Sequence, residues 1–260
     1  MRVRKTAVLG SLMLLACSSE EGAGSSDWAL TAEDSADAAD ASSVEAALSA
    51  SLVSGATGAA TGPEAASAAA EAVSSLFVPE GCLTTETTLR STTYTFDACR
   101  GPRGLQTIDG TVVVEYTVAR DGTLSATLRS TDLQAGAVAL RLDVVATYTA
   151  GPPERLELVV ESGATGSGGR GLSRSGSSTV TWEPSCVVVD ASTEVTFGSR
   201  SGTTTLESLR RCDGACPSGR ATYTSDAGML LLTFDGTSTA RWSATGAARA
   251  TSGEVALDCE

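Results

Sequence analysis

The sequence predicts an all-β fold, an antiparallel β-meander of about a dozen strands preceded by two short Ala-rich helices. From Cys82 onward, apolar residues recur at every second position, which is the period of a strand that buries one face. Turn sequences such as Asp121-Gly122 separate these runs, and no helical period lies between them. The strands could form a twisted sheet, a sandwich or an open barrel, and their polar faces should meet water.

The first 17 residues have the pattern of a targeting signal. A basic start is followed by an apolar stretch from Ala7 to Leu15, and the run closes as Leu14-Leu15-Ala16-Cys17. This run resembles the lipobox of bacterial lipoproteins. The resemblance implies that residues 1–16 are a lipoprotein signal peptide that is removed and that Cys17 is the lipid attachment site. An ordinary secretory signal, with Cys17 as one more thiol, is the alternative.

The same resemblance bears on localisation. The apolar stretch is about half of the roughly 20 residues that span a bilayer, so a transmembrane anchor fits poorly. Two or three acyl chains hold a protein stably at a membrane, and we expect the membrane as a partner through this anchor. Ser18 follows the cysteine, and the lack of Asp there resembles lipoproteins sent to the outer membrane. We expect a lipid-anchored protein of the cell envelope, at the outer membrane.

Residues 17–41 are predicted to form a disordered tether. The segment is rich in Ser, Ala, Gly, Asp and Glu, and such a composition buries too little apolar surface to offset the entropy of ordering the chain. Trp28 and Leu30 are the exceptions. They either dock on the folded domain or lie near the membrane interface.

Residues 42–80 are predicted to form a short helical segment that contains two helices. Ser42 and Glu45 have the spacing of a capping box at the start of the first helix. Its apolar residues recur four apart, at Val44, Leu48 and Leu52. Pro63 suits the first turn of the second helix. The apolar stripe of that helix comprises Ala66, Ala69, Ala70, Val73 and Phe77.

Residues 81–260 are predicted to form the disulfide-bonded β-domain. Its clearest hairpin joins residues 112–118 to residues 124–128 through Asp121-Gly122. Apolar residues typical of further strands lie at 138–148, 156–160, 180–182, 187–189, 195–197, 229–234 and 255–257. A Gly-rich loop from Ser162 to Ser178 is expected to interrupt the pattern.

The charge is distributed unevenly along the chain. Without residues 1–16, the chain carries 15 Arg against 31 acidic residues, a formal charge of −16. Residues 18–80 hold 11 acidic side chains and no basic one, whereas residues 81–260 are nearly balanced. Because nucleic-acid phosphates demand clustered cations, we expect no nucleic acid as a partner.

Several kinds of catalytic site are excluded by composition. After residue 16 the chain contains no His, no Asn and no Lys, which removes imidazole-based triads, lysine Schiff bases, P-loops and most catalytic zinc sites. We predict no catalytic residue, no cofactor and no metal site. Arg210-Arg211 and the loop from Arg170 to Arg174 could bind a phosphate or a carboxylate, or serve solubility.

Six cysteines follow Cys17, and outside the cytoplasm disulfides are the expected state. If successive strands run up and down, four of these cysteines gather at one end of the sheet. Cys186 would then pair with Cys212, and Cys216 with Cys259. The competing pattern pairs Cys212 with Cys216 and Cys186 with Cys259.

Two cysteines remain, Cys82 and Cys99, and they are left to pair with each other across two Thr-rich strand-like pieces. A disulfide that closes a loop of this size contributes on the order of 3 kcal/mol by restricting the unfolded chain. A zinc site begun by Cys212 and Cys216 is the sharper alternative to disulfides, but the chain has no His to complete it.

Two functions remain open. The first is a membrane-tethered envelope lipoprotein whose non-catalytic β-domain binds a protein partner or an apolar small molecule. The second is a carboxylate-dependent hydrolase of envelope or extracellular polysaccharide. A hydrolase requires two carboxyl groups roughly 5 to 9.5 Å apart in a cleft, whereas a carrier requires an apolar pocket of some hundreds of Å³. Few aromatic residues and no outstanding carboxylate pair favour the first function.

Overall fold

A computed structural model describes residues 23–136, 138–151, 153–166, 168–183, 185–246, 250–257 and 259. Within these residues the chain forms two helices followed by thirteen strands. The helices are α1 (Ala23–Ser54) and α2 (Gly62–Ser74). The strands are β1 (Leu83–Thr87), β2 (Ser91–Cys99), β3 (Ile108–Val118), β4 (Leu124–Ala135), β5 (Val138–Thr149), β6 (Arg155–Thr165), β7 (Gly171–Trp182), β8 (Cys186–Phe197), β9 (Arg200–Cys212), β10 (Ala215–Ser225), β11 (Gly228–Asp235), β12 (Thr239–Gly246) and β13 (Thr251–Ala256).

The strands form one antiparallel sheet in which every strand pairs with its neighbours in the chain, in the order β1 to β13. This arrangement confirms the predicted all-β meander. Burial alternates along the strands as the period of two requires, so that in β5 Leu140 and Val144 are buried while Arg141 and Asp143 are exposed. The sheet thus has an inner apolar face and an outer polar face.

The two helices cover the inner face of the sheet. α1 contacts every strand from β4 to β13, and α2 contacts β1, β2 and β3. Between Thr31 and Val53, α1 is buried at nearly every position, including Leu48 and Leu52 at 0% exposure. A helix that is buried on all sides lies inside the fold. The sheet is therefore curled around α1, which forms the centre of the hydrophobic core.

Small side chains let the sheet approach α1 closely. The positions that recur at three- and four-residue spacing along one side of the helix are Ala32, Ala36, Ala39, Ala46, Ala50 and Val53, and all of them are buried. Ala has the highest helix propensity and no side-chain entropy to lose, so this sequence supports a helix of 32 residues. None of the helices in the described part of the chain combines the length and apolarity needed to cross a membrane.

The predicted disordered tether over residues 17–41 is wrong for residues 23–41, which are helical. Its Ser, Ala and Asp residues are ordered because the sheet encloses them and supplies hydrogen-bond partners. The predicted capping box is wrong for the same reason: Ser42 lies within α1 and donates to the carbonyl of Ala38 at 2.9 Å. Cys17 and the rest of the tether lie outside the described residues.

The second helix agrees with the sequence analysis except at its end, because α2 ends at Ser74 and Phe77 lies beyond it. The Thr61 hydroxyl accepts a hydrogen bond from the Glu64 amide at 3.3 Å, and Pro63 lies in the first turn. Ala66, Ala69 and Val73 are buried. The buried Thr92 hydroxyl of β2 donates to the Ala66 carbonyl at 3.1 Å and so fixes α2 against the sheet.

The predicted loop from Ser162 to Ser178 is shorter in the structure, because β6 and β7 form a paired hairpin through most of it. The period of two was hidden by polar residues on the inner face, where Ser162, Arg174 and Ser178 are buried. Ser162 and Arg174 bind polar residues of α1. A strand that packs on a polar helix face does not need the apolar alternation from which strands are recognised.

The disulfides follow the predicted pairing. Cys82 pairs with Cys99, Cys186 with Cys212, and Cys216 with Cys259. Cys186 and Cys212 lie directly opposite each other on β8 and β9, and the third bridge joins β10 to the segment after β13. The competing pattern is wrong, and a zinc site at Cys212 and Cys216 is excluded because both sulfurs are in disulfides.

Two buried tyrosines tie the carboxyl-terminal end of α1 to the sheet. The Tyr116 hydroxyl donates to the Leu52 carbonyl at 2.9 Å, and the Tyr94 hydroxyl lies 2.9 Å from the Tyr116 oxygen. Because the Tyr116 proton is committed to Leu52, Tyr94 is the donor in the second bond. The last carbonyls of a helix have no partner within the helix, so this bond satisfies one of them.

We predict an alkaline loss of stability from these tyrosines. Burial raises the pKa of Tyr94 to about 12, and burial raises the pKa of Tyr116 well above its ordinary value. Since an unfolded tyrosine ionises near pH 10, their contribution is fully present below pH 10. It declines by roughly 1.4 kcal/mol per pH unit for each tyrosine as the pH rises from about 10 to 12.

Urea unfolding at several alkaline pH values, with phenolate absorbance recorded in parallel, tests this expectation. In Tyr94→Phe the pH dependence should be shallower because one of the two groups is gone. Ionisation of both tyrosines near pH 10 in a protein that remains folded would contradict it.

Candidate functional site

Arginines from the sheet and its loops reach the polar side of α1. The residues involved are Arg103, Arg170, Arg174, Arg200 and Arg211. The helix supplies carboxylates and hydroxyls but no basic side chain. The acidic side chains of the helix are thus balanced by arginines of the sheet and its loops.

Asp34 is held by two arginines near the amino-terminal part of α1. Its carboxylate is 2% exposed, accepts from Arg170 Nε at 2.5 Å and also accepts from Arg200. Arg170 donates in addition to Glu33 at 2.9 Å. The hydrogen bond to Asp34 has the larger effect and the one to Glu33 the smaller, and both raise the pKa of Arg170.

Glu45 and Arg174 form the most deeply buried ion pair of α1. Their side chains are 3% and 1% exposed, and Arg174 Nη2 lies 3.1 Å from Glu45 Oε2. The Ser162 hydroxyl donates to the same Glu45 oxygen at 2.6 Å, and Arg174 also donates to Ser42. The carboxylate, the guanidinium and two hydroxyls therefore form one buried network.

Arg211 binds α1 between Asp34 and Glu45, and Arg103 binds it nearer the carboxyl-terminal end. Arg211 Nη1 donates to Asp40 at 2.5 Å and to Ser43 at 3.1 Å, and its Nε donates to the Gly104 carbonyl at 3.0 Å. Arg103 donates to Ser51 at 3.0 Å, and burial lowers the pKa of Arg103. Arg170, Arg174 and Arg211 do bind carboxylates, as the sequence allowed, but the carboxylates belong to this chain.

A cavity of about 260 Å³ lies between α1 and the sheet. Ala36 and Ala39 of α1 form one wall of it. The opposite walls come from β4, β5, β9, β11, β13 and the residue after β13: Ala135, Val138, Leu209, Phe234, Val255 and Leu257. The polar lining includes the paired groups Glu33, Arg170, Asp40 and Arg211. Curling of the sheet creates this cavity, because it brings β4 and β5 near β13.

Two of the carboxylates that line this cavity form ion pairs within the protein. Glu33 accepts from Arg170 and Asp40 accepts from Arg211, so their oxygens are not presented together to a substrate. Within the residues that the structure describes, no group of three or more potential ligands could hold a metal ion. Chemically, the cavity is suited to enclosing a small, largely apolar molecule next to ion pairs.

The six cysteines that the sequence singled out are all in disulfides, and one of them lies beside the cavity. Cys259 borders the cavity and is joined to β10 by its disulfide with Cys216. The arginines that bind α1 were singled out in the sequence only in part, since nothing there distinguished Arg200 or Arg103. The sequence feature that could have indicated them is the acidic excess of residues 18–80, which hold 11 acidic residues and no basic one. Acidic residues that are buried in this segment need basic partners from the rest of the chain.

No protein-family model, no curated protein and no solved structure matches the chain. The function is therefore argued from the geometry of the β-domain and from the lipobox resemblance.

We predict that Arg174→Met destabilises the protein by about 3–5 kcal/mol, because Glu45 would remain buried without its charge partner. The double variant Arg174→Met with Glu45→Leu should recover much of this loss, since both charges are then removed. Urea unfolding at neutral pH with the disulfides intact measures the difference.

The matched control is Arg129→Met on the outer face. Arg129 lies 3.5 Å from Asp143 in a pair in which both side chains are more than half exposed, and such pairs contribute about 0–1 kcal/mol. Equal losses for Arg174→Met and Arg129→Met would show that the buried network does not stabilise α1.

Proposed function

We propose that the protein is a lipid-anchored envelope protein, attached through Cys17 at the outer membrane, whose β-domain binds a small apolar ligand and catalyses no reaction. The lipobox resemblance supports the anchor. The three disulfides support a location outside the cytoplasm, because disulfides persist in oxidising compartments.

The cavity beside α1 is the observation that favours a small ligand over a protein partner. Its volume of about 260 Å³ approaches the lower end of the range for ligand pockets, and apolar side chains provide most of its lining residues. α1 and α2 occupy the rest of the inner face, so the space favours a compact molecule over an extended acyl chain. The outer face offers exposed Val145 and Val159 as an apolar feature for a partner, but that pair is small.

The polysaccharide hydrolase is the alternative, and the geometry favours it less. Such an enzyme needs one carboxyl group that holds a proton and a second that remains ionised on the other side of a sugar. Two of the carboxylates beside the cavity, Glu33 and Asp40, are bound to arginines instead. Among the described residues that line the cavity, Phe234 is the single aromatic side chain, which offers little surface for stacking a sugar ring.

Metabolic labelling with an alkynyl palmitate tests the anchor. The native protein should take up the label, and Cys17→Ser should lose it and retain residues 1–16. A double variant Cys186→Ser with Cys212→Ser is the control and should keep the label. Intact mass measurement that finds an unmodified Cys17 thiol behind the starting methionine would refute the anchor.

Titration with 1-aminonaphthalene, an uncharged fluorescent probe, tests the cavity. The native protein should bind the probe saturably, and Ala39→Leu should weaken binding about tenfold or more because the larger side chain occupies part of the space that the ligand fills. Ala139→Leu, at an exposed position on the outer face of β5, is the matched control and should bind normally.

Thermal unfolding of both variants shows whether they are folded, and Ala36→Leu provides a second filling variant if Ala39→Leu is not. Unchanged binding in a folded filling variant, or no saturable binding by the native protein, would refute the proposed ligand site.

A further inference from the structure

The amino-terminal part of α1 enters the curled sheet at one particular end. Arg170, just before β7, and Arg200, at the start of β9, both bind Asp34. A Cβ atom added at Gly166, just after β6, would overlap Asp37, and one added at Gly246 would lie 3.2 Å from the Trp28 ring. We call this the helix-entry end, formed by the β6–β7, β8–β9 and β10–β11 turns together with Gly246.

Covalent geometry limits how far this end can lie from Cys17. Six Cα–Cα steps separate Cys17 from Ala23, and six residues span at most about 20 Å in any conformation. The helix advances about 8 Å further from Ala23 to Trp28. Strands such as β9 are roughly 40 Å long, so the turns at their other ends lie well beyond this reach.

The side chains at the helix-entry end suit the interface of a bilayer. Trp28 is partly buried against the core, and Leu30 is 43% exposed. Trp and other amphipathic or apolar side chains favour the headgroup region, where the ring can be partly apolar and partly wet. The nearby turn residues Gly168, Gly169 and Gly198 are small and exposed, which permits close approach to a flat surface.

We propose that the helix-entry end faces the lipid bilayer, with Trp28 and Leu30 at the headgroup level and the opposite turns directed away. This inference rests on the proposed lipid anchor at Cys17. It adds an orientation of the domain to that anchor. Because α1 begins close to Cys17 in the chain and ends in the centre of the domain, the domain is held close to the membrane with the helix-entry end toward the bilayer.

Headgroup quenching in proteoliposomes tests this orientation. Two matched variants of the full-length acylated protein, Ser199→Cys and Ser238→Cys, each carry one thiol-reactive fluorophore. Both serines are exposed; Ser199 lies in the β8–β9 turn of the helix-entry end, and Ser238 lies in the β11–β12 turn at the opposite end. The vesicles contain phosphatidylethanolamine and phosphatidylglycerol, with a spin label on a fraction of the headgroups.

The label at position 199 should lose most of its fluorescence, and the label at position 238 should lose little. Leu30→Ser added to Ser199→Cys should reduce the quenching while the protein still floats with the vesicles. Equal quenching at the two positions, or stronger quenching at position 238, would overturn the orientation.

A separate measurement distinguishes failure of the anchor from failure of the orientation. Intact mass and vesicle flotation report acylation before labelling, and the parent protein should take up no thiol-reactive fluorophore because Cys17 is blocked and the other six cysteines are in disulfides. A protein that is not acylated refutes both proposals. An acylated protein with equal quenching at the two positions refutes only the orientation.

Discussion

The structure depends on the burial of an acidic helix inside a curled sheet. Asp34 and Glu45 are both nearly inaccessible, and an unpaired carboxylate in such a place costs several kcal/mol. Arginines from β7, from β9 and from the segment before β7 supply the missing charges. The fold therefore requires that acidic residues in one segment meet basic residues that follow more than a hundred positions later in the chain.

These pairs also determine how α1 lies along its own axis. A helix with Ala at repeated three- and four-residue spacing presents similar surfaces after each shift of one heptad, so packing alone distinguishes such positions weakly. Contacts at Asp34, Asp40 and Glu45 fix three different levels of the helix against β7, β9 and the β6–β7 turn. The tyrosine pair at Leu52 adds a fourth level, so that any shift would leave buried polar groups without partners.

The sequence predicted what depends on local pattern and on chain order. The strands around Val112, Leu124 and Val138 show the period of two, and antiparallel order suggested the pairs Cys186–Cys212 and Cys216–Cys259, with one competing pattern left open and Cys82 left to pair with Cys99. α1 was missed between residues 23 and 41 because composition describes how much apolar surface a segment has, and not whether a sheet will enclose it. The cavity could not be predicted, since it depends on the curl that brings Val138 near Leu257.

One helix connects the two proposed properties of the protein. The face of α1 that carries Ala36 and Ala39 forms a wall of the cavity, and about two turns earlier the same helix reaches Trp28 at the helix-entry end. Because α1 is locked to the sheet by buried ion pairs, it cannot extend as a loose spacer without loss of the core. Under the proposed attachment at Cys17, at most about 20 Å of chain would separate the acylated residue from the start of α1. The proposed ligand site would then stay closer to the membrane than a disordered segment reaching to residue 41 would hold it.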